Sequence, residues 1–394
     1  MRRAIIVGII WVIVIGCFAE AETIKIGLLR RFNDAKSVFV SCTGKFQIAD
    51  KSGAIVLQSN AGDKISIQVN QSQILLIDTT GNNIAAEPPF CITSCSLDDR
   101  IILYQNQNDK GTRYRGKISV LMNKSGILLI NELDIEDYLL GVLPCEMPES
   151  YHSEALKAQA VAARSYALAN RMKHYSQGFS LCDSSDCQIY GGAEVERPKA
   201  SAAVRDTAGL VAVFNGQVIS AQYTGDCGGI TAEGRQPYLQ SVSDCDDKGI
   251  DMCDNPQHTW SAAWNIADFE NILKPHYPNL SGIKDIAIER TSAGRPYLVK
   301  IKADSGDIEI TASKLRMLVG INVVKSTYFT AKIIDGAVIL SGRGMGHGVG
   351  MCQIGANARA KQGASFEQIL KHYYSGIQIL PMSDLLNNTN SKSQ

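Results

Sequence analysis

GVLPCEMPESYHSEALKAQAVAARSYAL, residues 141–168, places one carboxylate, Glu146, between two prolines and directly ahead of a long alanine-rich run. Proline lacks a backbone donor and its ring crowds the preceding turn, so Pro144 and Pro148 predict a rigid turn around Glu146 with no helix running freely through it. Ser150 or Ser153 can cap the helix that follows. Glu154 puts a negative charge in its first turn, where the helix dipole favours one. Leu156, Ala160, Ala163 and Ala167 recur at helical spacing, and the alanines let neighbouring backbones come close, so most of this helix reads as core. Gln159 and Arg164 are its polar exceptions. A carboxyl held half-buried on such a turn has a raised pKa and can keep a proton near neutrality, which suits protonation of a leaving oxygen. From the turn alone, Glu146 reads as a carboxylate that caps the helix behind it; the pattern elsewhere in the chain reverses that reading.

Far along the chain, GRGMGHGVGMCQIGA (342–356) packs glycines around His347. No Gly-Lys-Ser/Thr follows, so this is not a phosphate-binding loop, nor is the context that of a dinucleotide fingerprint. Glycine at this density marks a backbone that bends sharply or closes on a ligand. His347 could donate a hydrogen bond to a sugar, ligate a metal or brace the turn.

Lys plus Arg and Asp plus Glu both number 39, and no block of like charge stands out. Nucleic acid is therefore excluded as a partner, since phosphate binding needs clustered basic surface. A neutral, hydroxyl-rich polymer such as a glycan is compatible. Arg2 and Arg3 precede an apolar run from Ala4 to Phe18 and an Ala19-Glu20-Ala21 end. The run is short of the roughly 20 residues of a membrane span, so residues 1–21 read as a secretory signal peptide and the protein as exported to the cell envelope. A second reading lipidates Cys17. Ten cysteines remain after residue 21. In an exported chain an even number reads first as disulfides, with Cys91/Cys95, Cys182/Cys187 and Cys245/Cys253 as near pairs.

Residues 22–112 look like a β-rich module, with short runs such as Ser37–Ser41, Ile65–Val69 and Gln73–Ile77 between turn signals. Strands at Tyr114–Met122 and Gly126–Asn131, a short helical turn at Glu132–Leu140, helices at Pro198–Thr207, Ala356–Gln362 and Phe366–Tyr374, and several strands over 285–345 fill residues 113–380. Residues 381–394 form a polar tail. The expected class is mixed α+β, with antiparallel strands around the alanine-rich helix.

Six ordered blocks resemble the SpoIID/LytB family, that is, sporulation stage II protein D and the amidase enhancers. They are Tyr138-Leu139-x-Gly141-Val142-x-x-x-Glu146-Met147; Glu154 through Arg164; Gly228-Gly229-x-Thr231; Pro237-Tyr238-Leu239 with Asp244 and Asp247; Gly346 through Ala356; and Ile369-Leu370-x-His372-Tyr373-Tyr374. The resemblance implies a peptidoglycan lytic transglycosylase acting on denuded glycan strands and needing no cofactor, with Glu146 as catalytic acid and base and a cell-wall amidase as partner. It places Arg164, Tyr238, Asp247, His347 and Gln353 in the substrate groove. A hydrolase would want a second carboxylate, for which Asp244 and Asp247 are candidates. The chain departs from the family pattern where serine usually precedes Gly228 and Gln353: here stand Cys227 and Cys352, a candidate disulfide. Some relatives bind zinc near the position of Cys182 and Cys187; here Asp186 replaces a histidine and His174 lies nearby, so these residues form either a disulfide or a structural zinc site. Two other readings stand beside the enzyme: a non-catalytic glycan-binding enhancer of an N-acetylmuramoyl-L-alanine amidase, and a cysteine hydrolase pairing Cys145 or Cys227 with His347.

Overall fold

The computed structural model describes residues 22–385 other than 72, 247 and 254. The expected signal peptide, the lipidated Cys17, the tail beyond 385 and Asp247 lie outside the described residues. The fold is mixed α+β. Strand Ile127–Asp134 is buried along most of its length and is an interior strand of a seven-stranded sheet. On one side it pairs with Lys117–Met122, on the other with Thr23–Gly27, both antiparallel. Beyond Lys117–Met122 follow Phe90–Ser94, Phe46–Asp50 and Ile55–Ser59. A six-stranded sheet built from residues 37–114 packs with it, and alternating inward side chains of both sheets (Val38, Val40, Ile48, Ile67, Ile92, Val120) share one core. The expected division after residue 112 therefore has ladders running across it: Phe90–Ser94 bonds to Lys117–Met122, and Thr23–Gly27 to Ile127–Asp134.

Ile127–Asp134 runs directly into helix Ile135–Glu146, capped by the Asp134 carboxylate, which accepts the Glu136 N–H at 2.7 Å. The helical turn expected to stop at Leu140 instead continues through Pro144. Pro144 stands in the last turn, so its missing donor leaves only the Leu140 carbonyl without its usual partner, and the helix closes with the Met147 N–H on Leu143 O at 3.0 Å. Glu146 is thus the final helical residue. Met147 is extended, as a residue before proline must be.

Helix Ser153–Ala169 begins at His152, whose ring Nδ1, not Ser150 or Ser153, accepts the Glu154 N–H. It is buried nearly all round: Ala155, Leu156, Ala158, Ala160 to Ala163 and Ala167 are inaccessible. Small side chains let helices Ile135–Glu146, Pro198–Asp206, Gln353–Lys361 and Phe366–Tyr373 and strand Leu210–Phe214 all pack on it. Arg164, expected in a substrate groove, is 0% exposed. Its Nε and Nη2 donate to the two Glu136 carboxylate oxygens at 2.7 and 2.6 Å, and Nη1 donates to Leu210 O at 3.0 Å. The Gly209 N–H also donates to Glu136. Arg164 is a clamp between two helices and a strand.

Residues 259–343 form a unit with its own core around Trp260, Phe269, Ile301, Leu315 and Leu340. Two three-stranded sheets and helices Ile266–Leu273 and Ala312–Val319 build it. Its first and last strands, Thr259–Asn265 and Ala337–Arg343, pair along their whole length, with Thr259 opposite Arg343. The chain thus leaves and returns at one point, as an insertion must. The strands expected over 285–345 are present; that they enclose a separate core was not foreseen.

Arg164 is buried, while Glu136 keeps part of its surface in water and the Gly209 N–H as a donor. Arg164→Leu is therefore expected to lower the unfolding free energy by about 2 kcal/mol in urea titration, with the KM of the folded fraction unchanged. A raised KM at full stability would return Arg164 to the groove.

Candidate active site

Glu146 ends its helix at the floor of a cleft of about 310 Å³. Tyr166, Asp186, Ile189, Gln222, Tyr223, Thr224, Gly346 and His347 are among the residues lining it. Desolvation by the surrounding protein pushes the Glu146 pKa up, and two donors oppose that rise. The Ile189 N–H donates to Oε1 at 2.7 Å, and the Tyr223 hydroxyl, which lines the same cleft, lowers the pKa from beside the carboxyl. The carbonyl end of the helix adds to the disfavour of a negative charge there. The outcome is a carboxyl that holds its proton more tightly than a free glutamate yet has donors ready for its anion.

Tyr223 is oriented from behind. Gln188 donates from Nε2 to the Tyr223 oxygen at 3.0 Å, while its Oε1 accepts the buried Tyr138 hydroxyl at 3.3 Å. With that Tyr223 lone pair occupied, its own hydrogen is left for Glu146. Sequence reading missed Tyr223, Gln188 and the Ile189 amide. Tyr223 follows a run that reads as strand, and a tyrosine there carries no local mark of a site.

The glycine-rich segment reaches the cleft because Tyr223–Thr224 and Met351–Cys352 pair in parallel. Two of its glycines are dictated by contact. A Cβ on Gly350 (φ +73°) would sit 1.9 Å from Gln222 O, and one on Gly346 (φ +111°) 2.3 Å from Thr224 Oγ1. His347 stands at the mouth of the cleft with part of its surface open. The Val349 N–H donates to its Nδ1 at 3.0 Å, which leaves Nε2 as the protonated nitrogen. Crowding by protein, then the charges of Arg316 and Arg295, hold its pKa below the ordinary histidine value, which favours the neutral ring at physiological pH.

The other expected site residues divide. Gln353 begins helix Gln353–Lys361, largely buried, and donates to Gln159 Oε1 at 3.3 Å, which ties it to the alanine-rich helix. Tyr238 lines a larger groove of about 1090 Å³ that shares Gln222 with the cleft and also takes in Tyr297 of the inserted unit. Asp244, a candidate second carboxylate, is fully buried and accepts from Tyr373 and Arg359. It is walled off from the cleft. Asp186 does line it, but pairs with Lys173 at 3.0 Å and His174 at 3.3 Å, which hold its carboxyl below the ordinary range.

All ten described cysteines are free thiols. The expected Cys245/Cys253 pair is not formed, because Cys253 lies with Cys227 and Cys352. Cys145 does not line the cleft, and burial, then Glu146, raise its pKa, the reverse of an activated nucleophile. Cys227 is inaccessible. Neither supports the cysteine-hydrolase reading. Cys182 and Cys187 meet His174 and Asp186, with one ligand atom from each within 4.8 Å of all the others. His174 Nε2 is 3.4 Å from Cys187 Sγ. Two thiols, an imidazole and a carboxylate at this spacing could hold one tetrahedral ion.

A family model described as stage II sporulation protein matches residues 123–214, the segment that carries Glu146, Arg164 and the Cys182–Cys187 loop. A second, described as a domain of unknown function (DUF8618), matches residues 246–350, which takes in the inserted unit. An uncharacterized protein of Brachyspira hyodysenteriae is 32% identical over 283 residues, covering 71% of this chain and 76% of that one. The amidase enhancer of Bacillus subtilis is 32% identical over 367 residues, covering 80% of this chain. The match spans 50% of the enhancer's own length. Stage II sporulation protein D of Bacillus subtilis is 28% identical over 296 residues, 70% of this chain and 82% of that one. The protein belongs to the SpoIID/LytB family.

A carboxyl whose folded pKa lies above its unfolded value costs stability once both states are ionised, and none below the unfolded pKa of about 4.3. Glu146→Gln keeps an acceptor for the Ile189 N–H and removes the charge. The variant is expected to melt above wild type at pH 7, the gap closing as pH falls through that window. Equal melting temperatures at pH 7 would contradict the raised pKa.

Proposed function

We propose that the protein is an exported peptidoglycan lytic transglycosylase, cleaving the bond between N-acetylmuramic acid and N-acetylglucosamine in glycan strands stripped of stem peptides. The observation that carries this reading is a single half-buried carboxyl, its pKa raised by that burial, in a cleft whose other described carboxylate, Asp186, is tied up by Lys173 and His174. Glu146 in its acid form gives its proton to the glycosidic oxygen as the C1–O bond breaks. The carboxylate left behind, held by the Ile189 amide and the Tyr223 hydroxyl, takes the proton of the muramic C6 hydroxyl while that oxygen bonds C1. The products are a free sugar hydroxyl and a 1,6-anhydro ring, and Glu146 ends protonated as it began. Hydrolysis would require a second carboxylate at a defined distance to activate water.

In the same reading the neutral His347 donates from Nε2 to sugar oxygens at the cleft mouth, and the Tyr238 groove beyond Gln222 takes the rest of the strand. His174, Cys182, Asp186 and Cys187 hold a structural zinc ion, which fixes the loop that presents the Ile189 amide to Glu146. The zinc would contribute rigidity and no step of the reaction.

A second reading follows from the relative named amidase enhancer: the same cleft binds glycan and the protein stimulates a cell-wall amidase without cutting. Mass spectrometry of denuded glycan strands separates the two. Wild type is expected to release anhydro-disaccharides, and Glu146→Gln to lose about 10²–10⁴-fold of that rate. Stimulation of an amidase with no anhydro product from wild type would select the enhancer. Tyr223→Phe removes a donor to the carboxylate, so the Glu146 pKa rises further and the alkaline limb of the kcat/KM profile is expected to move to higher pH. An unmoved limb would remove Tyr223 from the acid's control.

A further inference from the structure

Away from the Glu146 cleft, three cysteines from distant parts of the chain converge in a fully enclosed place. Cys227 follows strand Tyr223–Thr224, Cys352 ends strand Met351–Cys352, and Cys253 lies in the loop that leads into the inserted unit. Cys253 Sγ is 3.1 Å from Cys352 Sγ and 3.5 Å from Cys227 Sγ. A carboxylate oxygen of Asp226 lies with them, so that one ligand atom from each of the four is within 4.8 Å of every other. All four residues are buried.

We propose that Cys227, Cys253, Cys352 and Asp226 form a closed structural site for a zinc-class ion, separate from the His174/Cys182/Asp186/Cys187 cluster and independent of whether the protein cuts glycan. A disulfide can use only two of the three sulfurs and leaves the third buried beside it; a tetrahedral ion uses all three. Zinc–sulfur bonds near 2.3 Å place ligand sulfurs about 3.8 Å apart, so the observed spacing needs only a small outward shift. Soft thiolates select zinc over magnesium or calcium.

The surroundings fit anionic sulfur. The Cys227 and Gly355 N–H groups point at Cys352 Sγ, at 3.3 and 3.5 Å, where Cys352 caps helix Gln353–Lys361. His258 Nδ1 lies 2.7 Å from Asp226 Oδ2 and the Gly228 N–H donates to Oδ1, fixing the carboxylate as outer partners of a ligand do. The Arg295 guanidinium, buried, donates to the Cys227 carbonyl and supplies positive charge next to the cluster. Asp244, with Oδ2 2.7 Å from Cys253 Sγ and 3.5 Å from Cys227 Sγ, is engaged by Tyr373 and Arg359 and stands behind the site. When the metal takes the Cys253 thiolate, the thiol proton passes to Asp244, so that a neutral carboxyl and not a second anion faces the sulfurs. An ion here would join the strand carrying Tyr223, the strand following His347 and the lead into the inserted unit.

The test uses the full chain purified under argon, with zinc counted by inductively coupled plasma mass spectrometry and the site probed with cobalt(II). The Cys182→Ser/Cys187→Ser variant disables the other cluster and is expected to retain one zinc per chain; its cobalt form should show thiolate-to-cobalt charge transfer and the visible bands of a tetrahedral ion. Adding Cys253→Ser should remove that zinc and that absorbance. If the triple variant does not fold, the double variant alone decides. A double variant without zinc that binds no cobalt, an unchanged metal content on adding Cys253→Ser, iron in place of zinc, or a denatured mass two hydrogens short with a peptide joining Cys253 to Cys227 or Cys352 would each overturn the proposal.

Discussion

A helix enclosed on nearly every side must meet its buried polar groups from within the protein, and helix Ser153–Ala169 has one fully buried charge to satisfy in this way. Arg164 carries the charge. Glu136 meets it with both oxygens, and Glu136 belongs to the helix whose far end is Glu146. The Ser165 hydroxyl donates to Val161 O and accepts the Ala212 N–H, which locks strand Leu210–Phe214 against the same helix. Because this helix is largely alanine, its neighbours are held close and their relative positions are narrowly defined. The catalytic candidate, the strand behind it and the helix that starts at Gln353 are all placed by reference to this one element. The Arg164–Glu136 pair anchors the first turn of the Ile135–Glu146 helix, at the end away from the cleft.

The state of Glu146 is set by two opposed effects on one wall of the cleft. Burial penalises its anion, while the Ile189 amide and the Tyr223 hydroxyl reward it. A fully apolar setting would hold the proton and not give it up, because the anion left behind would have no support; a fully solvated carboxylate would hold no proton to give. The donors come from different parts of the fold, one from the loop after Cys187 and one from the strand paired with Met351–Cys352. The tuning therefore depends on those two segments keeping their places relative to Glu146.

Much of this was legible in the sequence where local physics acts alone. Strand Gln73–Ile77 follows from alternation and helix Phe366–Tyr373 from helical spacing, while Glu146 stood out only once distant blocks of the chain were set beside its turn. Where tertiary contact decides, the sequence misled. Arg164 looked like a groove residue because a polar side chain in an apolar helix carries the same letter whether it meets substrate or a buried Glu136. Pro144 looked like a helix stop because nothing local says the helix has only two residues left to run. Asp244 looked like a second acid, yet its partners Tyr373 and Arg359 come from more than 100 residues away. Tyr223 was missed because its role arises from Gln188 behind it. The inserted unit was read as more strands of the same domain, since the pairing of Thr259–Asn265 with Ala337–Arg343 that closes it is not visible from one end.

Sulfur stands behind both walls of the cleft. Cys182 and Cys187 lie under the loop that offers the Ile189 amide, and Cys227 and Cys352 flank the paired strands that carry Tyr223 and follow His347. These walls are loops and two-residue strands rather than long ladders, so their own backbone bonding holds them weakly, and ordering such segments costs of order 1–2 kcal/mol per residue. Preorganised donors help an acid only if they are already in place when charge develops. An ion behind each wall, as proposed, would supply that order from outside the cleft and leave its interior free for a sugar. A serine at Cys227 or Cys352 could bond its neighbours but could not join three separated segments at one point, and that difference is what the sulfur in this chain adds.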